Sequence, residues 1–286
     1  GIIDAHSSLP GCGIGTPGTM MIIVGTSSCH MMLSETEAGI AGVGGLVKDG
    51  IMPGYFGYEA GQCCVGDHFA WFTDNCVPES YEQEARSRGI SIHQLLSEKL
   101  STYKAGASGL LALDWFNGVR TPLMDFNLNG LIMGMNLLTK EEIYLSLIEA
   151  TAYGTRMIIE GFEEAGLEVK DITLSGGIPI KNEMLVQVYS DVCNRKIKVV
   201  DSTQSSALGA AILGAAAAPE RITGFKNANE AAKKLGKVKD KVWEPNQDNV
   251  EIYNELYEEY KTLHGYFGTG INDVMKHLNN IRERRK

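Results

Sequence analysis

The sequence predicts an α/β fold in which helices cover a β-sheet. Short apolar or β-branched strands alternate with helical segments along most of the 286 residues, which is typical of a sheet with helices packed on its faces. Hydrophobic residues make up 44% and charged residues 21% of the chain, as in globular rather than disordered proteins. The third observation is a strand that runs into the paired glycines of Ser175-Gly176-Gly177 before a helix.

Hydrophobic periodicity predicts the individual elements in chain order. The predicted strands cover residues 20–24, 29–33, 110–113, 130–135, 171–174 and 196–200, and the second of them pairs back against the first. The predicted helices cover residues 65–75, 91–102, 139–166, 182–193 and 205–217, with further helix from about 248. Thr139 and Glu142 form a predicted capping box at the start of the long third helix. Asp4-Ala5-His6 stands beside the predicted start of an apolar strand.

The double-glycine turn is the strongest indication of a ligand. Glycine lets the backbone approach a bound molecule closely because no Cβ intervenes. The helix that follows would present N–H groups and the positive end of its dipole to a phosphate or a polar nucleotide edge. Ser175 and Asn182 would add side-chain donors and acceptors. A purely structural turn between strand and helix also uses glycine, and this alternative stays open.

Two further polar clusters favour phosphoryl transfer. Asp4 and His6 offer a carboxylate and an imidazole, and Gly25-Thr26-Ser27 forms a tight turn whose N–H and hydroxyl groups could hold a phosphate. Neither a Walker P-loop nor a Rossmann fingerprint occurs in the sequence. The glycines of residues 11–15 are predicted to form a loop between two prolines.

Composition argues against other classes of protein. The net charge of −9 disfavours nucleic-acid and membrane-surface partners, and no apolar run has the length of a membrane span. No signal peptide is recognisable. The six cysteines show no metal-ligand spacing, and we expect all six to be small buried hydrophobic residues in the reducing cytoplasm. Because the chain starts at Gly1-Ile2 without Met, we expect it to be part of a longer protein.

The predicted helix 205–217 consists almost entirely of alanine, glycine, serine and leucine. Such a helix can lie close to another backbone or to a flat ligand, and the sequence leaves both explanations open.

Several segments together resemble the C-terminal half of carbohydrate kinases of the FGGY family, within the actin and sugar-kinase superfamily. The segments that carry the resemblance are Asp4-Ala5-His6, residues 25–30, 53–62, 113–118 and 148–156, and the double-glycine turn. The resemblance implies an actin-like ATPase (ribonuclease H-like) domain, with a mixed sheet flanked by helices, over residues 1–270. Residues 271–286 would form a helical tail, and the N-terminal sugar-binding half would be absent from this chain.

The resemblance also implies a reaction and its residues. Asp4 falls where the family has the catalytic base that activates a sugar hydroxyl for attack on the γ-phosphate of ATP. Gly25 and Thr26 match a phosphate-binding hairpin, and Gly176 and Gly177 match the turn that binds adenosine. Gly66 and Asn182 are two further matches to the nucleotide site. The match of Asn182 is uncertain by one residue, because Lys181 is the alternative position. None of these residues is expected to be a metal ligand.

The expected cofactors are ATP and Mg²⁺, and the expected partner is a small-molecule sugar. Residues 58–62 and 113–118 favour L-ribulose as that sugar. A xylulose- or glycerol-type kinase remains an alternative, as does an actin-like ATP-binding sugar sensor without transfer activity. The resemblance is compatible with a homodimer.

Overall fold

The computed structural model describes residues 1–137 and 140–286. The strands are β1 (Thr19–Val24), β2 (Ser28–Ser34), β3 (Gly45–Lys48), β4 (Phe56–Gln62), β5 (Leu111–Leu113), β6 (Leu131–Met133), β7 (Asp171–Ser175), β8 (Lys196–Val200) and β9 (Val238–Trp243). The helices are α1 (Asp4–Gly11), α2 (Gly66–Asn75), α3 (Glu79–Arg88), α4 (Ile92–Lys99), α5 (Lys140–Glu164), α6 (Gly177–Lys181), α7 (Glu183–Cys193), α8 (Ser205–Ala217), α9 (Glu220–Thr223), α10 (Ala228–Leu235), α11 (Gln247–Gly268) and α12 (Val274–Glu283). Thr139, the predicted start of a capping box, lies outside the described residues.

The chain forms two compact units. Unit 1 consists of residues 1–61, 158–181 and 195–244, and unit 2 consists of residues 62–157, 182–194 and 245–286. Among the described residues, none of the helices combines the length and apolarity that crossing a bilayer would require.

Unit 1 is built on a seven-stranded sheet with the order β3-β4-β2-β1-β7-β8-β9. β1 pairs antiparallel with β2 and parallel with β7, β7 pairs parallel with β8, and β8 pairs antiparallel with β9. Most residues of the strands β1 and β7 are buried, as expected for central strands covered on both faces. The predicted mixed sheet flanked by helices is therefore confirmed.

The small residues of α8 allow it to lie directly against α1. A Cβ built on Gly209 would overlap the carbonyl oxygen of Ser7, and one built on Gly11 would overlap that of Ser205. The two backbones therefore touch, and only glycine fits at these positions. Leu9 of α1 and Ile212 of α8 join one buried cluster with residues from β1 and β2. Close helix packing, one of the two explanations that the sequence left open, thus accounts for Gly209 of α8, whereas a Cβ on Gly214 would meet no atom within 4 Å.

Unit 2 contains the paired strands β5 and β6 and a helical core around a buried hydrogen-bond network. The Gln62 amide donates to Asp114 Oδ2 at 2.8 Å and to the Thr151 carbonyl at 2.9 Å. Tyr260 donates to Asp114 Oδ1 at 2.9 Å, and Thr155 donates to Gln62 Oε1 at 3.0 Å. The side chains of this network have nearly all their polar atoms paired, as a buried network must.

Two expectations from the sequence are wrong. Asp4-Ala5-His6 belongs to α1, not to the neighbourhood of a strand start, and α1 extends through Pro10. Tertiary packing against α8 holds this helix despite a composition that disfavours it. The cysteines are all free thiols, but Cys29, Cys63 and Cys76 are only partly buried. Each of these three lies near the end of a strand or helix, where solvent reaches part of the side chain.

Candidate nucleotide site and general base

Two glycine turns lie side by side at one edge of the sheet in unit 1. β1 and β7 are parallel neighbours whose register pairs Ile23 with Ser175, so both strands end at the same edge. The Gly25 hairpin follows β1 and the Gly176 turn follows β7. In α/β sheets, ligands bind at the carboxyl ends of parallel strands. The fold therefore brings together Gly25 and Gly176, which are 151 residues apart in the sequence.

Gly176 is the tightest point of this edge. Its φ is +101°, which side chains other than hydrogen rarely permit. A Cβ at this position would overlap the Val24 carbonyl oxygen and lie 3.1 Å from its carbon. At Gly177, by contrast, an added Cβ would meet no atom within 4 Å. Gly176 is thus required by the turn, whereas Gly177 borders open space.

The hairpin between β1 and β2 presents its tip to solvent. The Gly25 N–H donates to the Ser27 carbonyl at 3.0 Å, which closes the turn, and Val24 pairs with Ser28 at its base. Thr26 and Ser27 are exposed. The predicted turn between two paired strands is confirmed, and its polar groups remain accessible to a ligand.

Contrary to the prediction, the Ser175 hydroxyl is not exposed for contact with a ligand. This hydroxyl is buried and hydrogen-bonded to the Ser205 hydroxyl at 2.9 Å. The Ser175 side chain therefore fixes the turn from inside the unit and is not exposed for ligand binding.

Asp4 is the first residue of α1 and is exposed. Its Oδ1 accepts a hydrogen bond from the Ala5 N–H at 2.8 Å, and a carboxylate in the first turn is favoured by the helix dipole. The remaining oxygen capacity faces solvent. An exposed carboxylate on a helix fixed from behind suits a group that must accept a proton from a bound hydroxyl.

His6 has a partner that sequence reasoning missed. Its Nε2 lies 2.7 Å from Glu59 Oε2, and the two side chains are 16% and 19% exposed. Glu59 belongs to β4, 53 residues away in the chain. The partner was missed because Glu59 is a single carboxylate in β4, a strand that the sequence analysis did not predict. The contact with Glu59 gives His6 a structural role in joining α1 to β4.

Gly66 and Asn182 belong to unit 2. Gly66 begins α2, as predicted. Asn182 is buried and is the N-cap of α7, where its Oδ1 accepts from the Leu185 N–H at 3.0 Å. This cap satisfies one of the free N–H groups at the helix start. Lys181, the alternative position, is the exposed last residue of α6. A nucleotide contact at either residue stays a prediction.

The edge formed by β1 and β7 fits a phosphate-bearing nucleotide. It offers exposed backbone and hydroxyl groups at Thr26 and open space beside Gly177. No group of three or more His, Cys, Asp or Glu side chains that could hold a metal ion occurs among residues 1–137 and 140–286.

Comparison with known proteins identifies the family. Residues 20–218 match the family model described as the C-terminal domain of the FGGY family of carbohydrate kinases. The chain belongs to the FGGY family. The chain is 49% identical over 284 residues to the ribulokinase of Anoxybacillus flavithermus, covering 99% of this chain and 50% of the relative. It is 51% identical to the ribulokinase of Bacillus licheniformis, with 98% of this chain and 51% of the relative covered.

A solved structure shows the same fold. The xylulose kinase of Rhodospirillum rubrum superposes with a TM-score of 0.75 at 21% identity, covering 92% of this chain and 50% of that structure. The actin-like ATPase fold expected from the sequence is thereby confirmed. This FGGY chain spans about half the length of the curated relatives it matches.

Three segments that carried the family resemblance meet in the core of unit 2. Gln62, Asp114 and Thr155 come from residues 53–62, 113–118 and 148–156, respectively. The Gln62 side chain is hydrogen-bonded to both Asp114 and Thr155. A Cβ on Gly154 would lie 2.7 Å from Asp114 Oδ2 and overlap the Gln62 amide. Burial raises the pKa of the Asp114 carboxyl, and the hydrogen bonds from Gln62 and Tyr260 oppose the rise. Gln62, Asp114 and Thr155 are therefore part of the interior of unit 2.

Proposed function

We propose that the protein containing this chain is an ATP-dependent sugar kinase that transfers the γ-phosphate of ATP to a hydroxyl of L-ribulose, in L-arabinose catabolism. The observation that carries the proposal is the juxtaposition of the Gly25-Thr26 hairpin and the Gly176-Gly177 turn at the ends of two parallel strands. The choice of L-ribulose is supported by relatives named ribulokinase that are about half identical to the chain along nearly its whole length.

Each residue of the site has one role in this proposal. Asp4 accepts the proton of the sugar hydroxyl as its oxygen bonds to phosphorus and the bond to the leaving ADP oxygen breaks. The N–H and hydroxyl groups of Thr26 bind phosphate oxygens at the tip of the hairpin that the Gly25 N–H closes, and Gly176 and Gly177 leave room for adenosine. Gly66 and Asn182 are the two further residues that the family resemblance assigns to nucleotide binding. When bound, ATP would supply the phosphoryl group, and Mg²⁺ would neutralise part of the negative charge of the phosphates.

The remaining parts of the proposal concern the rest of the protein. Residues 1–270 form the nucleotide-binding domain and residues 271–286 a helical tail, and an N-terminal half supplies most of the sugar pocket. The sugar is a small-molecule partner, and nucleic acid and membrane are not partners. Six free thiols suit the reducing cytoplasm. A homodimer is compatible with this arrangement.

A sugar panel tests the proposal. The complete protein would be incubated with Mg·ATP and, separately, L-ribulose, xylulose and glycerol, and ADP formation would be measured for each. L-Ribulose should give the highest kcat/KM, because specificity is the ratio of these values between substrates. A higher value for xylulose or glycerol would reassign the substrate. ATP binding without any sugar-dependent ADP formation would favour a sugar sensor and refute the kinase.

A further inference from the structure

A chain of serine hydroxyls joins the double-glycine turn to the helix that carries Asp4. At one end, Ser175 Oγ and Ser205 Oγ are 2.9 Å apart, which ties the end of β7 to the first residue of α8. The next residue of α8, Ser206, lies with its Oγ 2.6 Å from Ser8 Oγ in α1. The first contact holds the turn and the second holds α1, and the two serines that make them are adjacent.

Ser7, in the first turn of α1, makes a second contact with Ser206 of α8. Ser7 Oγ lies 2.8 Å from the Asp4 carbonyl oxygen and 2.9 Å from the Ser206 carbonyl oxygen, so its single proton is shared between them. Ser7 and Ser8 are 2% and 1% exposed, and Ser175 is 1% exposed. Buried hydroxyl pairs of this kind are costly to break, because each unpaired partner loses its hydration without compensation.

The glycine contacts make the link stiff. The backbones of α1 and α8 touch at Gly11 and Gly209, where no Cβ fits. The two helices therefore move as one body, and the side-chain bond between Ser175 and Ser205 fixes that body to the glycine turn. Burial within the same layer raises the pKa of the Cys12 thiol to about 12, although its hydrogen bond with Ser175 opposes the rise.

We propose that Ser205 and Ser206 are positioning residues that hold the helix of Asp4 at a fixed place relative to the double-glycine turn. The inference rests on the proposed function, in which Asp4 meets the sugar hydroxyl and the turn meets the nucleotide. Phosphoryl transfer depends on aligning these two reactants, and a misplacement of about 1 Å can lower the rate about 100-fold. The two serines would set this alignment without touching either reactant.

The test uses the complete protein and separates the two serines by their kinetic effects. Ser206→Ala should lower kcat by about 10- to 100-fold with the KM for ATP unchanged, because it removes the hydroxyl contact between Ser206 and Ser8 of α1 and leaves the glycine turn tied to Ser205. Ser205→Ala should lower kcat by a similar factor and also raise the KM for ATP, because its bond reaches the turn. Ser206→Thr keeps a hydroxyl and should restore most of the lost kcat.

A matched control variant tests whether losing any buried serine hydroxyl of unit 1 would lower kcat. Ser34 is also buried and hydrogen-bonded in unit 1, but it lies at the opposite end of β2 from the hairpin. Ser34→Ala should cost similar thermal stability and leave kcat unchanged.

Three results would overturn the inference in an active protein: wild-type kcat in both alanine variants, equal impairment in Ser206→Thr and Ser206→Ala, or an equal loss of kcat in Ser34→Ala. A wild-type protein without sugar-dependent ADP formation would refute the proposed function, and this inference with it. If Ser205→Ala does not fold, the comparison of Ser206→Ala with Ser206→Thr decides.

Discussion

Glu149 should make the stability of this protein fall with rising pH. The side chain lies in α5 and is 2% exposed, and its Oε1 accepts a hydrogen bond from Tyr253 in α11 at 3.0 Å. Burial raises the pKa of this carboxyl from its ordinary value of 4.5 to about 8, and the Tyr253 hydrogen bond opposes the rise only in part. Near neutral pH, the folded protein therefore holds a proton on Glu149 that the unfolded chain has released.

The direction and size of the effect follow from proton linkage. Because the folded state binds the extra proton, its stabilising effect is complete below the unfolded pKa of 4.5 and is lost as pH rises through the folded pKa of about 8. Within this window, the unfolding free energy should fall by about 1.4 kcal/mol per pH unit. The loss over the whole window is on the order of 5 kcal/mol.

Glu149→Gln removes the titration and keeps an oxygen acceptor for Tyr253. Urea unfolding of both proteins should therefore give an unfolding free energy for the variant that rises relative to wild type by about 1.4 kcal/mol per pH unit. The difference between the two proteins cancels the contributions of other titrating groups. Glu164→Gln, which removes an exposed carboxylate from the same helix, controls for the change in net charge. Parallel curves for wild type and Glu149→Gln would refute the reasoning.

Four further predictions follow from the site and its supports. In the complete protein, Asp4→Asn should lower kcat by about 10² to 10⁴-fold while calorimetry still detects ATP binding; more than half of the wild-type kcat would exclude Asp4 as the base. Gly177→Val should weaken ATP binding in calorimetry but leave the melting temperature unchanged, since its side chain meets open space; unchanged affinity would make the turn merely structural. Gly209→Ala should cost about 1 to 3 kcal/mol of unfolding free energy in urea melts, and wild-type stability would contradict the close contact with Ser7. The isolated 286-residue chain should melt cooperatively but form no ADP with Mg·ATP and L-ribulose, and turnover of roughly 1 to 100 per second would show that a second half is unnecessary.

Several elements of the fold were predictable because their composition is typical of one type of secondary structure: β-branched and apolar residues in strands, and alanine in α8. β1, β7 and α8 lie within two residues of their predicted bounds, and α7 begins at Glu183, one residue after the predicted start, with Asn182 as its N-cap. β4 was missed because Gly57 and Gly61 lower its strand propensity, and its burial comes from neighbouring strands. α3 was missed because nearly all of its residues are polar, so no apolar stripe marks it.

The candidate site was predictable where a residue type is required by its own backbone. Gly176 has a positive φ and no room for a Cβ, and such a requirement is visible as a glycine in the sequence. The partners of a side chain carry no such mark. Glu59 beside His6 and Ser205 beside Ser175 are separated by 53 and 30 residues, so only the folded sheet brings them together.

The way the chain alternates between its two units limits how the protein can be taken apart. The backbone passes from one unit to the other five times, at residues 61/62, 157/158, 181/182, 194/195 and 244/245. Each unit is therefore assembled from three separate stretches of the gene. A single proteolytic cut cannot release either unit, and no contiguous subclone contains one alone. A chimera that exchanges one unit with that of a related kinase would need three simultaneous replacements.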